Sequence, residues 1–424
     1  MKKGALVEAT IFLVSKIVSS KKKTKIIISN YIKKNRYIGS KDKKYIYNLT
    51  FNTLKKYHGL LKVCEENLIP KSIRNITLLN VFNKYKKGSY EEYFIGKYSL
   101  NEKKEDRLIF EIASSINEEI QPKFPNWLET EVNFNEDKLN NIYSAILKEP
   151  KFDIAVNRSV INRDRVKKKL DDLSFTSRKT TISPFGITIN KRIPENELKK
   201  IKKNFFEVQD EGSQIITQII DINKKIKVLD MCAGKGTKTV FLNNTYGDII
   251  DLYAYDISKS RLNVLKKRKK ELKLNKLKIV QNLSNYKNYF DLIICDVPCS
   301  GTGVWRRFPE NIIRLTKKQL DSFIKSQLTI LIKASHLCKI NGEIAYITCS
   351  LIDKENKLLI LKFLENKNNF KLIDIKNRVN KILSQETCGN NTNTFTLTPD
   401  MYYTDGFFIG ILKKEYNFDN SFAT

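Results

Sequence analysis

Three patterns of apolar and polar positions follow one another along the chain. From Met1 to about Ile120, apolar residues recur at helical spacing on a Lys- and Glu-rich background with almost no Pro and few Gly. That pattern predicts a small all-helical domain. Leu6, Ala9, Leu13 and Ile17 fall on one face of its first helix, and the clearest amphipathic segment is SKDKKYIYNLTFNTLKKY, Ser40 to Tyr57. Gln121-Pro-Lys-Phe-Pro125 ends the pattern, because two nearby prolines stop helix propagation, and it predicts a linker followed by a short helical patch around Trp127. From Pro150, the short alternating pieces FDIAVNRS and FGITIN, with a turn at Ser183-Pro184, predict a small α/β module reaching about Phe205.

Beyond Phe206, β-like apolar runs alternate with helical stretches: IKVLDM, DLYAYD, KLKIVQN, FDLIICD, GEIAYITCS and DGFFIGILKK. Strands separated by helices predict an α/β fold with a doubly wound, mostly parallel sheet. Ligands of such sheets bind beyond the carboxyl ends of the strands. No internal repeat is visible.

Composition adds more than one core and a partner. The chain has 424 residues, 41% of them hydrophobic and 10% aromatic, enough for two or three cores of roughly 100–200 residues each. Its 77 Lys+Arg against 46 Asp+Glu leave +31. Lys, Asn and Ile are over-used throughout, which accounts for part of that excess; the rest predicts a polyanionic partner, nucleic acid first. The basic run at Lys266 to Lys270 reads as a solvated helix face, whereas Lys167 to Lys169 lies near the small module and suits phosphate contacts.

No run of about 18 uncharged apolar residues predicts a membrane span. Glu8 and Lys16 interrupt the apolar N-terminal stretch, so it reads as an amphipathic helix rather than a signal core, and a cytoplasmic protein is expected. Seven cysteines, at 64, 232, 295, 299, 338, 349 and 388, fit a reducing compartment, and with His58 and His336 the only histidines no metal site is expected. Cys64, Cys295, Cys338 and Cys388 read as core filler.

The candidate chemistry lies at strand ends. VLDMCAGKGTKT, Val228 to Thr239, leaves a strand, turns through Gly234 and Gly236 and enters a helix, so its backbone can approach a ligand closely. Alone, this turn fits an ordinary strand-to-helix connection equally well. Asp256 ends the next strand, where an acid can accept hydrogen bonds from ribose hydroxyls. Asp296 and Cys299 follow FDLIIC, and Cys349 ends GEIAYIT, so two thiols at carboxyl strand ends face one crevice. Trp305, Arg306 and Arg307 follow the cysteine loop and suit either packing or a flipped nucleotide.

These segments resemble the cofactor loop, the Asp-x-Pro-Cys motif and the Thr-Cys-Ser motif of the Nop/Sun family of RNA (cytosine-5) methyltransferases. FFEVQDEGSQ (Phe205 to Gln214), VWRRFPE (Val304 to Glu310) and DGFFIGIL (Asp405 to Leu412) match the same family in order and spacing. The layout is similar to that of Sun-type members acting on 16S ribosomal RNA. The resemblance implies a NusB-like helical RNA-binding domain over residues 1–120, a linker and small α/β RNA-binding module over 121–205, and a Rossmann-like S-adenosylmethionine-dependent methyltransferase domain over 206–424.

The resemblance also implies roles. Carbon 5 of cytosine is a poor nucleophile until a thiolate adds to carbon 6; the family's attacker maps to Cys349, the cysteine assisting release to Cys299, and Asp296 lies between base and cofactor. S-adenosylmethionine would be held by Cys232, Ala233, Gly234, Lys235, Gly236, Thr237 and Lys238, with Asp256 at the ribose, Arg261 nearby, Asn282 near the adenine and Asp296. The family loop usually reads Cys-Ala-Ala-Pro-Gly-Gly-Lys, so Lys235 replaces a proline and Thr237 a glycine, whose Cβ restricts the backbone. The implied partner is RNA, 16S ribosomal RNA first, and the implied state a monomer. A transfer RNA substrate, or a non-catalytic ribosome-assembly factor, is the alternative.

Overall fold

The structure, a computed structural model, describes residues 1–85, 89–202, 204–383 and 393–416. Cys388 lies outside the described residues. The chain divides into two compact units, Met1–Glu149 with Val304–Thr316, and Pro150–Gly303 with Lys317 onward.

The first unit is helical, as the periodicity predicts. Helices run over Lys3–Val18, Thr24–Lys34, Ser40–Lys55, Tyr57–Glu66, Ile73–Lys84, Lys104–Ser115 and Glu136–Leu147. Leu13 and Ile17 are fully buried and Leu6 and Ala9 nearly so, but Val7 and Val14 are buried as well, so the first helix buries a wider face than one stripe. The expected patch around Trp127 is a single turn, Asn126–Glu129. Arg74 grips the buried Asp106 carboxylate through Nη1 and Nη2, a charge-assisted fork that compensates the burial of the acid.

The second unit holds two sheets. The smaller is antiparallel, with strands β1 (Phe152–Val156), β2 (Ser177–Lys179), β3 (Gly186–Ile189) and β4 (Phe206–Val208) in the order β2-β3-β1-β4. The larger contains β5 (Ile226–Asp230), β6 (Ile250–Ala254), β7 (Lys278–Ile279), β8 (Phe290–Asp296), β9 (Cys338–Thr348), β10 (Phe370–Leu372), β11 (Thr394–Leu397) and β12 (Phe407–Lys414). Its order is β10-β12-β9-β8-β5-β6-β7, with β11 on β12. Strands β5 to β9 pair in parallel and β12 runs antiparallel to β9, which is the mostly parallel α/β sheet expected.

Alternation along the strands explains why both faces are covered. Val228, Leu252, Ile294 and Ile409 point into one core with Val240, Leu262 and Leu265 of the helices Thr237–Tyr246 and Lys259–Glu271. Leu229, Tyr253, Ile293 and Phe408 point into the other with Leu331, Ala334, Ile360 and Phe363 of Lys317–Leu337 and Lys357–Glu365. A sheet buried on both faces leaves its strand ends as the open positions for a ligand. Strand β5 lies between β6 and β8, so the chain switches direction at β5 and opens a crevice beyond its carboxyl end.

Candidate active site

The loop after β5 enters that crevice. Gly234 and Gly236 have φ of +56° and +85°, a left-handed region in which an L side chain is strained. The loop is pinned by the Ala233 amide donating to Tyr255 O at 2.9 Å and the Gly236 amide donating to Ala233 O at 2.8 Å. A Cβ on Gly234 would meet nothing nearer than Cys232 O at 4.0 Å, so the loop borders open space. Helix Thr237–Tyr246 starts at Gly236 with no side-chain cap, leaving N–H donors for a ligand.

Asp256 lies two residues past β6 and is 6% exposed. Its Oδ2 accepts from the Gly234 amide and its Oδ1 from the Ser258 amide, each at 2.8 Å. Each carboxylate oxygen has further acceptor capacity, so the pair can also take ribose hydroxyls. Arg261 approaches Asp256 to 3.9 Å from an exposed position. Asn282 is exposed and its Oδ1 accepts from the Ser284 amide at 2.9 Å. Asp230, the last residue of β5, is buried, accepts from Thr239 Oγ1 at 2.6 Å and is pushed up to about 7 by that burial. Burial also raises Cys232 well above its ordinary range.

The parallel pairing of β8 with β9 brings the two thiols together. Asp296 pairs with Ile347, so Cys299, three residues beyond, and Cys349, two beyond, leave adjacent strands at the same end. Their Sγ atoms are 3.4 Å apart, a contact between free thiols well outside the roughly 2.05 Å of a disulfide. Cys299 is held well above its ordinary range, by the contact with Cys349 first and burial second, so it keeps its proton and can donate it toward Cys349. Lys238 Nζ donates to Asp296 Oδ2 at 2.7 Å and sits 5.3 Å from the centre of the Phe407 ring. The lysine–acid pair and the thiol pair therefore lie at the same end of the sheet, beyond β8 and β9. Gly303 closes the cysteine loop against Gly406: its amide donates to Cys349 O at 2.9 Å, its carbonyl accepts from the Gly406 amide at 2.8 Å, and a Cβ on it would lie 2.4 Å from Gly406 O. That close approach is the physical reason for glycine at 303, and a Cβ on Gly406, just ahead of β12, would in turn lie 2.9 Å from Gly303 Cα.

Other candidates fall elsewhere. Trp305 is 1% exposed and packs on Phe124 and Tyr143 in the helical unit, with ring centroids 5.1 and 6.2 Å away; Arg306 is 1% exposed too. Trp305 is therefore a packing residue. Cys64, Cys295 and Cys338 are fully buried filler, as expected. The residue missed from sequence is Glu355, fully buried behind both cysteine loops; one acid in a strand-to-helix turn gives no signal among 46.

A doubly wound sheet with a glycine-bent loop, an acid at the next strand end and an open helix start defines a Rossmann-like methyltransferase fold. The family described as 16S rRNA methyltransferase RsmB/F matches residues 217–413 of this chain, the part that holds the larger sheet and the crevice. The "Probable ribosomal RNA small subunit methyltransferase B" of Synechocystis is 26% identical over 308 residues, 69% of this chain and 67% of that protein. Over the first curated relatives the match spans 57–67% of their length. The fold is similar to PH0851 (TM-score 0.72, 20% identity, 98% of this chain and 100% of that one). It is also similar to NSun6 from Pyrococcus horikoshii (TM-score 0.57, 18% identity, 69% of this chain and 97% of that one).

The cofactor is S-adenosylmethionine, and the crevice fits it. The open space beyond Gly234 takes a close ligand, the uncapped helix start suits its carboxylate, and Asp256 retains acceptors for ribose hydroxyls.

Proposed function

We propose that the protein transfers a methyl group from S-adenosylmethionine to carbon 5 of a cytidine in 16S ribosomal RNA. The observation that carries this reading is the contact between Cys349 and Cys299 at adjacent strand ends, 3.4 Å between sulfurs. Bound S-adenosylmethionine supplies an electrophilic methyl on sulfur. The Cys349 thiolate adds to carbon 6, forming the C6–Sγ bond and making carbon 5 nucleophilic. Cys299, holding its proton, donates a hydrogen bond to the Cys349 sulfur and offsets the cost of a thiolate in a half-buried site. After transfer the carbon 5 hydrogen leaves as a proton to water, its bonding pair re-forms the C5=C6 double bond, and the C6–Sγ bond breaks with its electron pair returning to Cys349. Cys299, in contact with that sulfur, assists this release. Asp296, fixed by Lys238 at 2.7 Å, accepts hydrogen bonds from the cytosine edge.

Residues 232–238, Asp256, Arg261 and Asn282 hold the cofactor in this reading. Residues 1–120 act as a NusB-like RNA-binding domain, 121–205 as the second RNA-binding module and 206–424 as the methyltransferase. The protein works as a monomer, and the cytoplasm is the compartment this reading implies. What supports it is the thiol pair, the family match and the +31 charge.

The test offers methyl-labelled S-adenosylmethionine with unmodified small-subunit ribosomal RNA, or with bulk transfer RNA, to the wild type and to Cys349→Ala. Label should enter 5-methylcytidine of the ribosomal RNA and fall at least ~10³-fold in the variant. Label in transfer RNA alone would move the substrate, and a fully active variant would remove the mechanism.

A further inference from the structure

We propose that Glu355 is a positioning residue that sets the contact between the Cys299 and Cys349 thiols by gripping the residue after each of them. Only its consequence for methyl transfer rests on the function proposed above; the thiol contact itself is a property of this chain alone.

Four hydrogen bonds converge on the Glu355 carboxylate. Oε1 accepts from the Ser300 amide and from Gln327 Nε2, both at 2.9 Å. Oε2 accepts from Ser350 Oγ at 2.6 Å and from Ser300 Oγ at 2.5 Å. Ser300 follows Cys299 and Ser350 follows Cys349, and their own hydroxyls lie 3.1 Å apart. One carboxylate therefore spans the two loops directly behind the two sulfurs.

The turn carrying Glu355 is tied to the same strand. Tyr346 of β9 donates its hydroxyl to Glu355 O at 2.6 Å, Thr348 Oγ1 donates to Asn356 Oδ1 at 2.6 Å and Asn356 Nδ2 donates to Ser350 O at 2.9 Å. A shift of one loop would have to drag the carboxylate and, through it, the other loop.

Chemistry argues against mere filling. Burying a carboxylate is costly unless its acceptors are satisfied, and an apolar residue of the same size fills a core position more cheaply. Here both oxygens face two donors each, and three of the four donors come from the cysteine loops, the fourth being Gln327 of the helix Lys317–Leu337. The charge also acts on the pair: it is one of the causes holding Cys299 in its protonated form, so Glu355 supports the division between a thiol that keeps its hydrogen and the sulfur that attacks.

The experiment uses the full chain as wild type, Glu355→Ala, Glu355→Gln and Ser350→Ala. Binding of S-adenosylmethionine by calorimetry reports an intact fold and should stay within about twofold. Diamide then oxidises the thiols, taking up both Sγ hydrogens as the two Sγ–H bonds become one Sγ–Sγ bond, and peptide mapping follows the Cys299–Cys349 disulfide. Glu355→Ala should form it at least tenfold more slowly than the wild type, and Ser350→Ala, which removes one of the four bonds, should fall between them. Glu355→Gln keeps the shape and loses the charge, so its rate-against-pH curve should move to lower pH, an effect a filler residue would not produce.

Equal rates within twofold for Glu355→Ala and Ser350→Ala, with cofactor binding intact, would overturn the proposal, as would an unmoved pH curve for Glu355→Gln. If Glu355→Ala fails to fold, Ser350→Ala and Glu355→Gln decide alone. A wild type that methylates no RNA while these thiol effects appear would end the functional reading and leave Glu355 in its role.

Discussion

Gly234 carries more of the cofactor site than its size suggests. At φ +56° a Cβ is strained by about 1–2 kcal/mol, and it would project into the space that the loop leaves open. Gly234→Ala should therefore lower thermal stability by about 1 kcal/mol and weaken S-adenosylmethionine binding at least ~10-fold by calorimetry; unchanged affinity would place the cofactor elsewhere. Thr237 is the opposite case. Its Cβ looked restrictive in sequence, yet Thr237 is the first residue of a helix and adopts right-handed backbone that any residue tolerates. Lys235, standing for a proline, has its carbonyl held by Arg268 Nη1 at 2.6 Å, while Arg268 Nη2 pairs with Glu207 at 2.8 Å. The loop is restrained by an arginine instead of a ring. Neither compensation was legible in the sequence, because Arg268 sits 33 positions away inside a run that reads as a solvated basic face.

Among the elements, β5, β6, β8, β9 and β12 were legible because each is an apolar run, whereas the short β2, β10 and β11, partly exposed, carried no such signal. The strand order was not legible: β12 inserts between β9 and β10, and no local pattern encodes a pairing so far apart in the chain. The thiol pair follows from that hidden order, since only the parallel neighbours β8 and β9 place both cysteines at one edge. The helical unit offers a separate test. His58, near the start of the helix Tyr57–Glu66, has its Nε2 buried without a partner, and burial pushes the imidazole down to about 4. The unfolded chain takes up this proton near pH 6.5, so between about pH 6.5 and 4 the unfolded state binds more protons and stability falls as pH falls. The loss amounts to ~3 kcal/mol at the acid end. Thermal melts from pH 7 to 4.5 should fall less steeply for His58→Gln than for the wild type; parallel curves would refute the buried neutral imidazole. Asp230, raised to about 7 by burial, acts with the opposite sign, losing stability as pH rises through about 4 to 7, and cancels in this comparison because both proteins contain it.

For the whole molecule, charge and motifs carry the proposed RNA partner and the proposed chemistry, while the division into units stayed hidden. The segment Val304–Thr316, which directly follows the cysteine loop, belongs to the helical unit. Thr24 Oγ1 donates to Glu310 at 2.8 Å, Arg314 donates to Ile17 O at 2.5 Å, and Trp305 packs at a tilt against Phe124. Such contacts join residues nearly 300 positions apart, beyond any periodicity a sequence displays. Among the described residues no helix is long and apolar enough to cross a membrane.

The proposed function turns on covalent attack by Cys349 on an RNA cytosine, with Cys299 needed for release. It is tested most directly by mixing Cys299→Ala with S-adenosylmethionine and unmodified small-subunit ribosomal RNA and resolving the products under denaturing conditions. A denaturant-resistant protein–RNA adduct should form, and it should disappear when Cys349 is also changed to Ala. An adduct that survives the loss of Cys349, or none at all while the cofactor binds and the wild type methylates that RNA, would contradict it.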